Sequence, residues 1–303
     1  MTADAPMNTR VRELGRPGGR ILGVGEFGDP NGSPVLAFHG IPGTRLMFRA
    51  AHAVGYRLGL RLIAPDRPGF GRSTPQRGRQ LQDWLPDVDA VLNAYGIDQF
   101  SLIGVSGGSP FATATAAHYG DRVDAMLLIG PMGPIAETHR EAALTWLNRA
   151  FFLQLPRVPG GMRATLAPAN ALFRLSPKLQ YELFLRMLPP SDRKIMRDHD
   201  LRARVIEDVH ESLKQGGEGM RTDLSIFSQP WNVDYGAIKA QTFLWQGLAD
   251  TVVPVDVALS LGAFIPNCIV HRIPDAGHFW IYDNVEVVLS ELAKAIKPGP
   301  SIA

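Results

Sequence analysis

Ser106 stands in the run Gly104-Val105-Ser106-Gly107-Gly108, after an apolar segment holding Phe100, Leu102, Ile103 and Val105 and before the small, alanine-rich stretch 111–117. A G-x-S-x-G pattern where a strand turns into a helix pushes a hydroxyl out at the strand's carboxyl end. Its glycines are needed because so tight a turn leaves no room for neighbouring Cβ atoms. A serine hydroxyl is a poor nucleophile near neutral pH, so it requires a base within hydrogen-bond reach and a third group to hold that base. His278 and Asp250 suit these roles. His278 follows a strand-like run through Pro274-Asp275-Ala276-Gly277, and Asp250 follows another through Gly247-Leu248-Ala249, so each is expected at the carboxyl edge of a sheet. Acyl transfer also calls for donors aimed at the developing oxyanion, worth roughly 3 kcal/mol each. The loop His39-Gly40-Ile41-Pro42-Gly43 follows a further apolar strand, and the amides of Ile41 and Gly107 are the two expected donors.

Elements able to position these residues are legible in the hydrophobic pattern. Strands are expected near 20–28, 34–38, 60–64, 100–105, 123–129, 242–245 and 269–273, with helices between them near 45–58, 81–95, 111–117 and 255–264. In the helix near 81–95, Leu81, Trp84, Leu85, Val88, Val91, Leu92 and Tyr95 recur at helical spacing; in a final helix, Val285, Val288, Leu289, Leu292, Ala293 and Ile296 do the same. Such alternation predicts an α/β fold with a doubly wound, mostly parallel sheet. Between 131 and 237 it stops. That stretch reads as proline-broken helices, at 137–155, 177–188 and 191–214, the last with Ser191 as its N-cap, and is expected to form an inserted helical cap. The core then comprises 20–130 and 238–303, and residues 1–19, rich in Gly and polar groups, are expected to form a loose N-terminal arm.

Composition narrows the functional classes. With 45% hydrophobic and 20% charged residues in 303, this is the make-up of a globular protein, and a net charge of +2 on scattered Lys and Arg offers no footprint for nucleic acid or an anionic membrane. The single cysteine, Cys268, cannot form an internal disulfide. No stretch is long and apolar enough for a signal peptide or a membrane span, so a cytoplasmic location is expected. Gly23, Gly25 and Gly28 spell G-x-G-x-x-G but lead into the turn Asp29-Pro30-Asn31-Gly32 instead of a helix, which argues against a dinucleotide cofactor. Asp198, His199 and Asp200 fan out by about 100° per residue on a helix and cannot converge on one metal ion. No cofactor and no metal are expected.

Four motifs in order carry a resemblance to the α/β-hydrolase superfamily over about Arg20 to Ile296: His39-Gly40 with Pro42-Gly43, Asp66 through Ser73, the turn at Ser106, and the Asp250 and His278 loops. The chain order Ser106, Asp250, His278 is the order of that superfamily. The resemblance implies a serine hydrolase with a helical cap over its site. Epoxide hydrolases and haloalkane dehalogenases carry aspartate where this chain has Ser106, and cofactor-free haloperoxidase-like members usually carry Met where it has Gly107. Asp66 and Arg67 are read as structural. The expected activity is cleavage of a small, uncharged carboxylic ester through an acyl-enzyme, the alternatives being a thioester, lactone or peptide bond, a hydrolase of a biosynthetic pathway, or a ligand receptor with slow turnover. Met132, Phe279 and Trp280 are the expected substrate contacts, whereas Phe151, Phe152 and Leu153 are expected to pack the cap.

Overall fold

The computed structural model describes residues 11–137 and 144–296. Eight strands, β1 (Val11–Arg16), β2 (Arg20–Gly28), β3 (Ser33–Phe38), β4 (Leu60–Pro65), β5 (Phe100–Val105), β6 (Val123–Ile129), β7 (Gln241–Gly247) and β8 (Cys268–Ile273), form one sheet in the order β1-β2-β4-β3-β5-β6-β7-β8. β1 and β2 pair antiparallel, as do β2 and β4; the other five pairings are parallel. The core helices are α1 (His52–Arg57), α2 (Leu85–Tyr95) and α3 (Ser109–Tyr119), and the cap between β6 and β7 carries α4 (Trp146–Arg149), α5 (Gly161–Leu175), α6 (Pro177–Met187), α7 (Pro190–Met196), α8 (His199–Ser212) and α9 (Glu218–Phe227). Helices α10 (Val255–Phe264) and α11 (Val285–Ala295) complete the chain.

Strand periodicity feeds two cores. On β3, Leu36 and Phe38 join Trp84 and Val91 of the α2 region and Phe111 of α3 on one face, while Val35 and Ala37 join Leu62, Leu127, Val288 and Leu292 on the face covered by α11. The expected stripe on α2 is the buried one, and the helix ends at Gly96, whose left-handed φ of 64° suits glycine.

Several expected boundaries move. Residues 11–19 are no arm: β1 forms a hairpin with β2, and Arg16 and Arg20 both bind the buried Asp87 carboxylate of α2, at 2.7 and 2.9 Å. Charge, invisible to a hydrophobicity pattern, fastens this edge. The segment expected as one helix over 45–58 is a 3-10 stretch, Arg45–Ala51, followed by α1. The expected helix 191–214 is two helices: Pro190 opens α7, and Asp198 caps α8 by accepting from the Leu201 amide at 2.8 Å, so Ser191 caps neither. The expected helix 137–155 lies partly outside the described residues; its remainder is α4 and a π-turn at Ala150–Gln154.

The cap is fastened to the core by carboxylates. Asp223 of α9 binds Arg67 at 2.9 Å and also pairs with Arg79, all three side chains being fully buried. Arg67 in turn donates to the carbonyl oxygens of His39 and Gly40. Glu211 of α8 binds Arg45 at 2.9 Å, and Arg45 binds Asp66 at 2.5 Å. Removing one partner of a buried pair leaves an uncompensated charge, at a cost of about 3–5 kcal/mol. Asp223→Ala is therefore expected to lower unfolding free energy by about that amount in a urea titration, and a midpoint unchanged from the parent would contradict the assigned role of this pair.

Candidate active site

Ser106 sits at the junction of β5 and α3 with φ of +50°, a left-handed conformation that costs energy for a residue bearing a Cβ. Close packing holds it there. A Cβ on Gly104 would lie 2.8 Å from Ser109 Cα and 2.9 Å from Ala112 Cβ, and one on Gly108 would lie 2.1 Å from the Phe38 carbonyl oxygen, so only glycine fits on either side of this turn. Ser109 Oγ donates to the Gly104 carbonyl at 3.1 Å, and the Met132 amide donates to the Ser106 carbonyl at the same distance.

Asp250 and His278 meet at the ends of β7 and β8. His278 Nδ1 lies 2.7 Å from Asp250 Oδ2. The other carboxylate oxygen accepts the Val252 and Val253 amides at 2.8 and 2.9 Å, which fixes the carboxylate's orientation. Burial alone would raise the Asp250 pKa, but the imidazole and these amides outweigh it and hold the group below the usual carboxylate range. For His278, burial alone would lower the pKa; the Asp250 charge and hydrogen bond, with the charge of Asp192, raise it above the ordinary histidine value. Gly130 follows the end of β6, where a Cβ would crowd the His278 ring at 3.1 Å.

Ser106 and His278 line one cavity of about 360 Å³. Gly40 and Ile41 line it beside them: a Cβ on Gly40 would be 3.3 Å from Ser106 Cβ, and one on Gly107 3.0 Å from Ile41 Cγ1, so the His39–Gly43 loop lies directly against the turn. His39 itself is buried; Nδ1 meets the Gly40 carbonyl at 2.8 Å and Nε2 accepts the Arg67 amide at 3.1 Å, which makes it a brace for the loop. Burial and the Arg67 charge push its pKa well down, so the ring is neutral. Met47 and Phe48 line the cavity from the core and Phe173 and Phe184 from the cap. Among the described residues no Lys, Arg, Asp or Glu lines it.

Of the three expected substrate contacts, Phe279 lines the cavity. The other two do not. Met132 is buried in the main core beside Ser106, and Trp280 packs its large ring into the core under α11, 5.7 Å from the Trp245 ring centroid. Phe152 and Leu153 are buried in the main core and line no part of the cavity. Sequence reasoning missed the cap carboxylates at this site. Asp192 of α7 accepts the backbone amides of His278 and Phe279 at 2.7 and 2.8 Å, and Asp208 of α8 accepts the Thr44 hydroxyl at 2.5 Å. The one available signal was Gly277, where a Cβ would lie 2.2 Å from Asp192 Oδ2. Among the described residues no group of three or more His, Cys, Asp or Glu is placed to hold a metal ion, and no helix is long and apolar enough to cross a membrane.

A mostly parallel sheet with a serine at its strand-to-helix turn, an acid–imidazole pair on the following strand ends and a helical insertion defines the architecture. Residues 33–285 match the family model described as alpha/beta hydrolase fold, and the chain belongs to that family. It is 28% identical over 239 residues, 75% of this chain and 74% of the relative, to a 2-hydroxy-6-oxo-6-phenylhexa-2,4-dienoate hydrolase of Burkholderia cepacia. Among solved structures it is similar to a bromoperoxidase from Bacillus anthracis (TM-score 0.73, 20% identity, covering 93% of this chain and 98% of that one). It is also similar to an esterase from Thermogutta terrifontis (TM-score 0.66, 23% identity, 95% and 100%).

Asp208 generates a prediction about pH. Its burial pushes the carboxyl up to about 8. The native state therefore keeps a proton that the unfolded chain loses, and stability falls as pH rises between about 4 and 8. Asp208→Asn stays neutral and keeps an acceptor for Thr44. It is expected to match the parent at about pH 4 and to be the more stable protein at pH 8, the gap widening by up to ~1.4 kcal/mol per pH unit. Denaturation midpoints measured across that range check this, and parallel pH dependences would contradict it.

Proposed function

We propose that this protein is a serine hydrolase that cleaves an uncharged, apolar carboxylic ester through an acyl-enzyme, with Ser106 as nucleophile, His278 as general base and then acid, and Asp250 as the group that orients and stabilises the imidazolium. The observation that carries this reading is that Ser106 and the Asp250-held His278 line one largely apolar cavity. His278 Nε2 takes the hydroxyl proton as Oγ attacks the carbonyl carbon; the tetrahedral oxyanion is received by the Ile41 and Gly107 amides, and its collapse expels the alcohol, which regains the proton from His278. Water then repeats the cycle on the acyl-enzyme and releases the acid. Asp250 stays ionised throughout, in keeping with its depressed pKa.

The lining supports the choice of substrate. A carboxylate-bearing molecule, such as the dienoate that names the Burkholderia relative, is costly to bury without a permanent cation, and no Lys or Arg is present among the described lining residues. Apolar walls instead favour acyl and alkyl groups, at about 25 cal/mol per Å² of surface removed from water.

A chain-length series of p-nitrophenyl esters, assayed beside Ser106→Ala, tests the reading. Turnover by the parent and its loss by at least about 10³-fold in the variant are expected; undiminished activity in Ser106→Ala would exclude the nucleophile. Because Asp250 favours the charged imidazole, kcat/KM is expected to rise with pH through a midpoint above about 6.5. In Asp250→Asn the rate at the plateau is expected to fall by about 10⁴-fold.

A further inference from the structure

Asp192 belongs to the cap, yet its side chain serves the loop that carries His278. It sits in the first turn of α7, where an acidic residue commonly faces the free amides of its own helix. Here both oxygens are taken elsewhere: Oδ2 by the His278 amide at 2.7 Å and Oδ1 by the Phe279 amide at 2.8 Å. The carboxylate is fully buried, and the two donors are consecutive, so they fix the plane of the peptide between His278 and Phe279.

The rest of the loop is built around this contact. Its other side lies on the Asp250 loop: the Ala249 amide donates to the Ala276 carbonyl at 2.8 Å, and a Cβ on Gly247 would lie 2.3 Å from the Gly277 carbonyl oxygen. Gly277 lets Asp192 in, since a Cβ there would overlap all three atoms of the carboxylate group at 2.2 to 2.5 Å. His278 is thus clamped between an acid of the core, on its ring, and an acid of the cap, on its backbone. The charged groups facing the imidazole are these two, Asp250 and Asp192.

We propose that Asp192 is a positioning residue, through which a seated cap sets the register of His278 against Ser106. The inference rests on the assignment of His278 as the base. Its consequence is that the cap forms part of the catalytic apparatus as well as the wall of the cavity, and that displacing α7 disables the base without touching the reacting atoms.

Two variants separate position from charge. Asp192→Asn removes the negative charge and replaces one acceptor by an amide group facing a donor; Gly277→Ala keeps the charge and displaces the carboxylate. With p-nitrophenyl butyrate, each is expected to lose about 10- to 100-fold in kcat with KM within about twofold. The acid limb of the pH profile is expected to move to lower pH in Asp192→Asn, since one of the two charges favouring the imidazolium is gone, and to move less in Gly277→Ala. A purely structural carboxylate would lower the melting temperature of both variants and leave kcat at 25 °C and the acid limb as in the parent, and that result would overturn the proposal. Ser106→Ala, run alongside, distinguishes the two levels: if it retains activity, the assignment of the base falls with that of the nucleophile. If it is inactive while both Asp192→Asn and Gly277→Ala behave as the parent, only the role of Asp192 falls.

Discussion

Four acidic side chains of the cap reach down to the loops at the carboxyl edge of the sheet, and the geometry of the site depends on them. Asp192 holds the His278 loop, Asp208 holds Thr44, Glu211 holds Arg45, and Asp223 holds Arg67, which itself grips the carbonyls of His39 and Gly40. Buried ion pairs contribute little net stability compared with apolar packing, because desolvation offsets most of their attraction. They are directional, however, and costly to break singly. A cap docked by such contacts is held in one seating, in a way that a greasy interface of the same area would not enforce.

That seating explains how strain and an unfavourable environment can persist at Ser106. Ser106 occupies a left-handed conformation, flanked by glycines that touch the backbone of α3 and β3, and the loop bearing Ile41 rests on it. Each of these is tolerable because neighbouring loops are fixed from above. The same roof makes the cavity apolar, and the attraction between the buried Asp250 and an imidazolium at 2.7 Å is larger than it would be at the surface.

Much of this was legible in the sequence, for identifiable reasons. The strands from β3 to β8, α2 and α11 show strong hydrophobic periodicity, and the turn at Ser106 carries its steric requirement in its glycines. The alternation that gave away the sheet also placed Asp250 and His278 on loops leaving its carboxyl edge. What escaped was held by charge or by shape. β1 was hidden because Arg16 and Arg20 owe their place to Asp87, about seventy residues away, and no local pattern encodes such a pairing. Trp280 neighbours His278 in sequence but is buried against Trp245 in the core under α11, in a 3-10 turn at Trp280–Asp283. The break between α7 and α8 was hidden by the continuous polar content of 191–200, with Asp198 as the cap that reveals it only in retrospect. Asp192, Asp208 and Asp223 read singly as solvated acids, because burial of a carboxylate is decided by the element it meets.

The claim on which everything else stands is that Ser106 becomes covalently acylated by the action of His278. Rapid acid quench of the protein after mixing with p-nitrophenyl butyrate, followed by mass mapping of its peptides, tests this directly. A butyryl group on the peptide carrying Ser106, absent from Ser106→Ala and strongly reduced in His278→Ala, is the predicted result. Turnover of the ester with no acylated peptide in the parent, or with the butyryl group on a residue outside this cavity, would contradict the account.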